Sequence, residues 1–243
     1  MKTVIIVQAR MTSTRLPGKV LKEVLGKPLL EYQIERLRRV KLADEFVIAT
    51  TVNETDLPIV RLCEKLNIAY FRGSEEDVLS RYYHCAKESG GEVIVRITSD
   101  CPIIDPQVID KTIHYYTTHR QDYVSNSLER TYPRGMDTEV FSYKCLSEAF
   151  HEAVDKPERE HVTPFIYRRP ERYRLANVSY MKSCGDYRWT VDTNEDYELI
   201  RLMIEELYPG NPNFSLEDAL DAVERHPEWR LLNAHVQQKG YGH

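Results

Sequence analysis

The chain lacks several features that would decide its class at once. No apolar stretch approaches the roughly 20 residues needed to cross a bilayer, and the runs that exist, such as residues 3–7, are strand-sized. The 5 cysteines, Cys63, Cys85, Cys101, Cys145 and Cys184, are odd in number, and no two are spaced as CxxC. A zinc ribbon and a redox dithiol are therefore not readable, and a reducing, cytoplasmic setting is expected. The opening MKTVIIVQAR has an apolar run too short for a secretion signal. Internal repeats, low-complexity tracts and Gly/Ser linkers are absent, so the 243 residues are expected to form one domain. Neither sign of charge dominates: 33 Lys and Arg stand against 38 Asp and Glu, a net charge of -5. That balance disfavours nucleic-acid binding, a strongly acidic tail and disorder.

What charge there is lies unevenly. The first 41 residues hold 10 basic and 3 acidic side chains, and the remainder holds 23 and 35. A basic end on an acidic body suggests a local anion site. Part of the excess, Arg36, Arg38, Arg39 and Lys41, reads as a solvated helix face.

The β-branched run 3–7 reads as a buried strand, central in a parallel sheet. A helical period follows over 29–40, with Pro28 at its start. Strands at 45–50, 69–71 and 93–97 alternate with helices at 57–66 and 75–87. Four strand–helix units predict an α/β fold with a mostly parallel, doubly wound sheet. The second half is less regular. Helices are expected at 106–118, 144–153, 197–207 and 216–223, and strands at 123–125, 138–141, 173–178 and 187–191, with an inserted arm at about 127–170.

Ligands of open α/β sheets bind at the carboxyl ends of the strands. The loop that leaves the first strand there runs from Gln8 through Ala9, Arg10, Met11, Thr12, Ser13, Thr14, Arg15, Leu16, Pro17 and Gly18 to Lys19. It matches neither GxxxxGK[ST] nor GxGxxG. Its composition is nevertheless that of a polyphosphate clamp: arginine forks, a lysine point charge and a glycine that lets the backbone approach. Asp100 stands just past the strand at 93–97, and Asp192 just past the run at 187–191. Two carboxylates at neighbouring strand ends can hold a hard cation such as Mg2+, which takes one or two carboxylates, waters and substrate phosphates. Asp105 before Pro106 reads as a helix cap, and Thr193 as the cap of the last long helix. His151-Glu152 is not a zinc-protease pair, because Asp155 stands where HExxH needs its second histidine. Tyr82, Tyr83, Tyr115, Tyr116 and Trp189 read as packing residues.

These motifs resemble a known family. AR-x-x-S-x-RLPGK (residues 9–19), SDCPIID around Asp100 and VDT-x-ED around Asp192 are similar to the cytidylyltransferases that activate acidic sugars, the CMP-Kdo and CMP-sialic acid synthetases. RGSEEDVLSRY (72–82), REHVTPFIYRRPE (159–171) and RWTVDTNED (188–196) bring it nearest to the SpsF group of spore-coat polysaccharide biosynthesis. The resemblance implies a Rossmann-like nucleotidyltransferase fold, a homodimer built by the arm, CTP as nucleotide, Mg2+ as cofactor and attack of an anomeric hydroxyl on the α-phosphorus. It places Arg10, Ser13, Arg15 and Lys19 on the triphosphate, Asp100 and Asp192 on the metal, and Ala9, Arg72 and Ser99 around the nucleotide. The sugar carboxylate needs a cationic or multi-donor receptor, for which Arg134, Arg159, His161, Asn126 and Thr163 are candidates. Residues 126–160 depart from the Kdo and sialate pattern. Three other readings stay open. They are a nucleotidyltransferase using another NTP with a sugar phosphate, a glycosyltransferase (although no DxD motif is found at Asp192), and a nucleotide-binding module without catalysis.

Overall fold

The computed structural model describes residues 1–238. In chain order the elements are β1 (Thr3–Gln8), the hairpin β2 (Glu23–Val24) and β3 (Lys27–Pro28), α1 (Leu29–Leu37), β4 (Glu45–Thr51), α2 (Leu57–Leu66), β5 (Tyr70–Gly73), α3 (Val78–Ser89) and β6 (Val93–Thr98). The second half adds α4 (Pro106–Thr118), β7 (Tyr123–Ser125), β8 (Glu139–Ser142), α5 (Tyr143–Glu152), α6 (Lys156–His161), α7 (Pro164–Tyr167), β9 (Leu175–Asn177), α8 (Asn194–Leu207), α9 (Leu216–Arg225) and α10 (Trp229–Leu232).

Seven strands form one sheet in the order β5-β4-β1-β6-β8-β7-β9. β1 pairs parallel with both β4 and β6, and only β8 runs antiparallel to its neighbours. The alternation of β1 explains its all-apolar run. Ile5 and Val7 face one core with α1, α2, α4, α8 and α9, while Val4 and Ile6 face another with α3, α5 and α7. Both faces of the strand are buried, as a central parallel strand requires. Each such side chain contributes about 1.5–3 kcal/mol. The chain winds outward from β1 to β4 and β5, then returns to place β6 on the other side of β1. This switch point opens a crevice beyond the carboxyl ends of β1 and β6.

Helix starts follow local chemistry. The Asp77 side chain accepts the Ser80 amide at 2.9 Å and starts α3. Asp105 caps α4 through the Gln107 amide at 2.7 Å, and its second oxygen accepts the Leu216 amide of α9 at 2.6 Å. Thr193 and Asp196 form a reciprocal capping box for α8.

The structure corrects several expectations. Residues 187–191 form no strand; only an isolated bridge links Arg134 and Arg188. The segment is instead tied to the loop after β6. The Val191 amide donates to the Asp100 carbonyl at 2.8 Å, and the Thr190 hydroxyl donates to the same oxygen at 3.2 Å. The strand expected at 173–178 shortens to β9, and the helix expected from 75 starts at Val78. Within 127–170, expected as an arm, β8 enters the sheet between β6 and β7. Arg36 is not solvated. It is buried, donates to the Phe214 carbonyl at 3.0 Å and stacks 3.9 Å from the centre of that ring. Burial pushes its pKa down to about 9. Tyr82 and Trp189 lie in the core, as read.

Candidate active site

The loop after β1 is fixed at both ends. The Ala9 amide continues the sheet by donating to the Ala49 carbonyl at 3.1 Å. The Met11 amide donates at 2.7 Å to Asp56, a buried carboxylate also held by the hydroxyls of Thr50 and Thr51. Gly18 closes the turn at φ +69°, with its amide on the Met11 carbonyl at 2.8 Å. A side chain is disfavoured in that conformation. The turn delivers Lys19, first residue of a short 3-10 helix, to the strand ends.

There Lys19 meets both aspartates. Its Nζ lies 3.1 Å from Asp100 Oδ2 and 2.8 Å from Asp192 Oδ1. Arg15 reaches Asp192 Oδ2 at 2.9 Å, and Arg188 reaches the same oxygen at 2.8 Å. Thr98 donates to Asp100 Oδ1 at 2.6 Å. Burial alone would raise the pKa of Asp100, but Lys19 and the Thr98 hydroxyl outweigh it and hold the pKa at about 2. Burial alone would lower that of Lys19, but the two carboxylates keep it raised. Two carboxylates from distant parts of the chain thus share one cation. This donor set suits a hard divalent ion that takes the rest of its shell from water and phosphate. Among the described residues there is no group of three or more His, Cys, Asp or Glu side chains that could hold a metal alone.

The crevice is a cavity of about 1090 Å3. Ala9, Arg10, Ser13, Arg15, Lys19, Ser99, Asp100 and Asp192 line its β1–β6 end. A cytidylyltransferase family model matches residues 4–219. The chain belongs to the cytidylyltransferase family. The spore coat polysaccharide biosynthesis protein SpsF of Bacillus subtilis is 34% identical over 92% of this chain and 94% of that protein. A solved cytidylyltransferase from Leptospira borgpetersenii serovar Hardjo-bovis superposes with a TM-score of 0.90 at 31% identity, covering 100% of both chains. A CMP:2-keto-3-deoxy-manno-octonic acid synthetase complexed with CTP shares the fold, with a TM-score of 0.65 at 19% identity over 85% of this chain and 100% of that one. The expected family and its Rossmann-like fold are therefore borne out, as is CTP-dependent nucleotidyl transfer.

The cavity continues past the loop after β1. Its far end is lined by Arg96, Tyr123, Arg134, Glu139, Lys156, His161 and Thr163. Glu139 anchors that wall. It pairs with Arg96 across the β6–β8 register and accepts the hydroxyls of Tyr123 at 2.5 Å and Thr163 at 2.6 Å. Between His161 and Thr163 the buried Val162 is held at φ +71°. For a β-branched residue such a conformation costs about 1–3 kcal/mol, and it re-aims both neighbours.

Of the expected site residues, three do not line the cavity. Arg72 donates to the carbonyls of Thr51, Val52 and Asn53 at 3.0, 2.7 and 3.2 Å, which braces the end of β4. Asn126 is buried and bonds the Met136 carbonyl and the Thr138 amide at 2.7 and 2.9 Å. Arg159 grips Asp77 and the carbonyls of Phe150 and Ala153, so it supports the start of α3. Arg10 lies 3.6 Å from Glu75, whose carboxylate is also bonded by Thr12 and Asn53. Glu75, Arg96, Glu139 and Arg188 carry no signal of their pairing in the sequence, since nothing in the residue type of a lone charged side chain tells its partner.

His161 gives a pH test. Burial lowers its pKa below the usual value of 6.5, with only partial compensation from Glu160. The unfolded chain therefore binds a proton in a window below about 6.5 in which the folded protein does not. Stability falls as pH drops through that window. The urea midpoint of the wild type is expected to fall more between pH 7.5 and pH 5.5 than that of His161→Gln. Equal slopes in the two proteins would refute the assignment.

Proposed function

We propose that this cytidylyltransferase joins CTP to the anomeric hydroxyl of an acidic sugar of the nonulosonic class, giving a CMP-sugar and pyrophosphate for surface or spore-coat polysaccharide. The observation that carries the proposal is Lys19 bridging Asp100 and Asp192 at the mouth of a cavity that continues to a second polar end. The homologue's name, SpsF, and the sugar acid in the name of the CTP-bound synthetase support the substrate class.

Nucleotidyl transfer asks the protein to position the reactants and neutralise charge. Around Asp192 three cations, Lys19, Arg15 and Arg188, stand against three carboxylates, Asp100, Asp192 and Asp196. The cluster is balanced before substrate arrives. Arg10, Arg15 and Lys19 hold the triphosphate and stabilise the departing pyrophosphate; their place on the cavity wall supports this reading. Ala9, Ser13 and Ser99 line the nucleotide end. Mg2+ held by Asp100 and Asp192 would supply neutralisation of the α-phosphate and activation of the attacking hydroxyl. Arg134, with His161 and Lys156 on the same cavity, offers the receptor for the sugar carboxylate. Thr163 acts through Glu139, to which its hydroxyl is committed. The enzyme works in the cytoplasm as a homodimer.

Pyrophosphate release from CTP, measured across a panel of nonulosonic acids, tests the proposal. At least one acid should accelerate release, and UTP, GTP and ATP should support it poorly. Acceleration by a sugar phosphate and by none of the acids would replace this reading with a different acceptor.

A further inference from the structure

Asp192 is a buried carboxylate whose two oxygens have different tasks. Oδ1 faces Lys19 and the Asp100 side, while Oδ2 is turned to Arg15 and Arg188. We propose that Arg188 is a positioning residue that aims Asp192 into the active site, and that Asn233 and Gln238 of the C-terminal segment complete its hold. This rests on Asp192 being a cation ligand, as read above.

The Arg188 side chain is only 6% exposed. One of its terminal nitrogens donates to Asp192 Oδ2 at 2.8 Å and to Asp196 Oδ2 at 3.1 Å, and its Nε donates to Asp196 Oδ1 at 2.9 Å. The fork therefore joins two carboxylates that sit four residues apart, a geometry an ammonium cannot reproduce. Asp196 is fully buried and also accepts the amides of Asp192 and Thr193 at 3.0 and 3.1 Å. The side chain and the backbone of Asp192 are thus referred to one rigid point, the first turn of α8.

The C-terminal segment closes the construction from outside. The Asn233 amide donates to the Arg188 carbonyl and to Asp196 Oδ1, both at 2.8 Å. The Gln238 carbonyl oxygen accepts from the remaining terminal nitrogen of Arg188, and Gln238 itself lines the cavity. Every guanidinium nitrogen of Arg188 is engaged. A ligating carboxylate held through its second oxygen keeps its direction, and loss of such support costs metal affinity about 10- to 100-fold.

The test is Mn2+ binding to the full-length protein with CTP, followed by electron paramagnetic resonance, alongside thermal unfolding. Arg188→Lys should weaken Mn2+ by about 10-fold or more, and Gln238→Ala, at an exposed position, by a smaller factor. Leu220→Ala removes a core side chain of α9 that takes no part in these bonds; it should lower the melting temperature and leave Mn2+ affinity unchanged. Wild-type affinity in Arg188→Lys, or an equal loss in Leu220→Ala, overturns the positioning role. Should Arg188→Lys fail to fold, unchanged affinity in Gln238→Ala overturns it instead. Asp192→Asn separates the two levels. If it binds Mn2+ as tightly as the wild type, the cation reading itself falls. If it loses Mn2+ while Arg188→Lys keeps it, only the positioning role falls.

Discussion

Asp100→Ala and Asp192→Ala are each expected to lower CTP-dependent pyrophosphate release on the order of 10^3-fold, the scale of removing one preorganised charge-stabilising group. The two losses should not add, because the carboxylates share one cation at 3.1 and 2.8 Å and act as a unit. Their side effects should differ. Asp192→Ala removes the oxygen shared by Arg15 and Arg188 and leaves buried positive charge behind, so it should also cost stability. Asp100→Ala releases Lys19, the Thr98 hydroxyl and the Cys101 thiol. Because the Asp100 pKa is held at about 2 against a usual 3.8, the carboxyl is ionised throughout the working range. Its stabilising contribution is complete above about pH 4 and is lost as pH falls toward 2. Any acid limb in the rate near pH 6 therefore belongs to another group. Single-turnover release measured on both variants, with circular dichroism to confirm folding, decides the matter. Near-normal turnover in either one removes that aspartate from the site.

The fold was legible where one physical pattern ruled. The apolar run of β1 left only a strand buried on both faces. The capping residues Asp105 and Thr193 announced α4 and α8, and both side chains cap as read. Patterns failed where a segment's partners are distant. Residues 187–191 carry strand-like side chains, yet their backbone bonds go to the Asp100 loop and to Arg134, so no ladder forms. Arg36 sits in a basic run that reads as solvated, but a carbonyl and a ring 178 positions later in the chain take its charge inside.

The site divides in the same way. Arg10, Lys19 and Asp100 were readable because loops at strand ends face the ligand crevice whatever else the chain does. Asp192, by contrast, follows no strand and reaches the crevice because the Val191 amide is bonded to the Asp100 carbonyl. Arg72, Asn126 and Arg159 have suitable chemistry, and each is consumed by nearby backbone or by Asp77. Glu139 and Arg188 organise the two walls of the cavity, and both belong to buried ion pairs. Pairing of that kind exists only once the strands and loops have met.

Gly135→Ala is expected to be the most damaging glycine-to-alanine change among the described residues. Gly135 lies at φ +105°, and an added Cβ would stand 2.6 Å from the Trp189 carbonyl oxygen, 2.7 Å from its carbon and 3.1 Å from the Thr190 amide nitrogen. These are backbone atoms and cannot rotate away. The two segments are also locked together on either side: the Arg134 amide donates to the Tyr187 carbonyl at 2.9 Å, and the Trp189 amide donates to the Arg134 carbonyl at 2.8 Å. The clash therefore must push 188–192 off, and with it Asp192, whose register to Asp100 depends on the Val191 amide bond. Strained backbone and overpacking together should cost about 2–4 kcal/mol. A displacement near 1 Å at the carboxylate should lower turnover on the order of 10^2-fold. Gly210→Ala is the matched control, since an added Cβ there meets nothing within 4 Å. It should change stability by less than about 0.5 kcal/mol and leave turnover alone. Urea denaturation and pyrophosphate release on the pair measure both effects. If Gly135→Ala unfolds at the wild-type midpoint and retains full turnover, the close approach of residue 135 to the Asp192 segment is wrong.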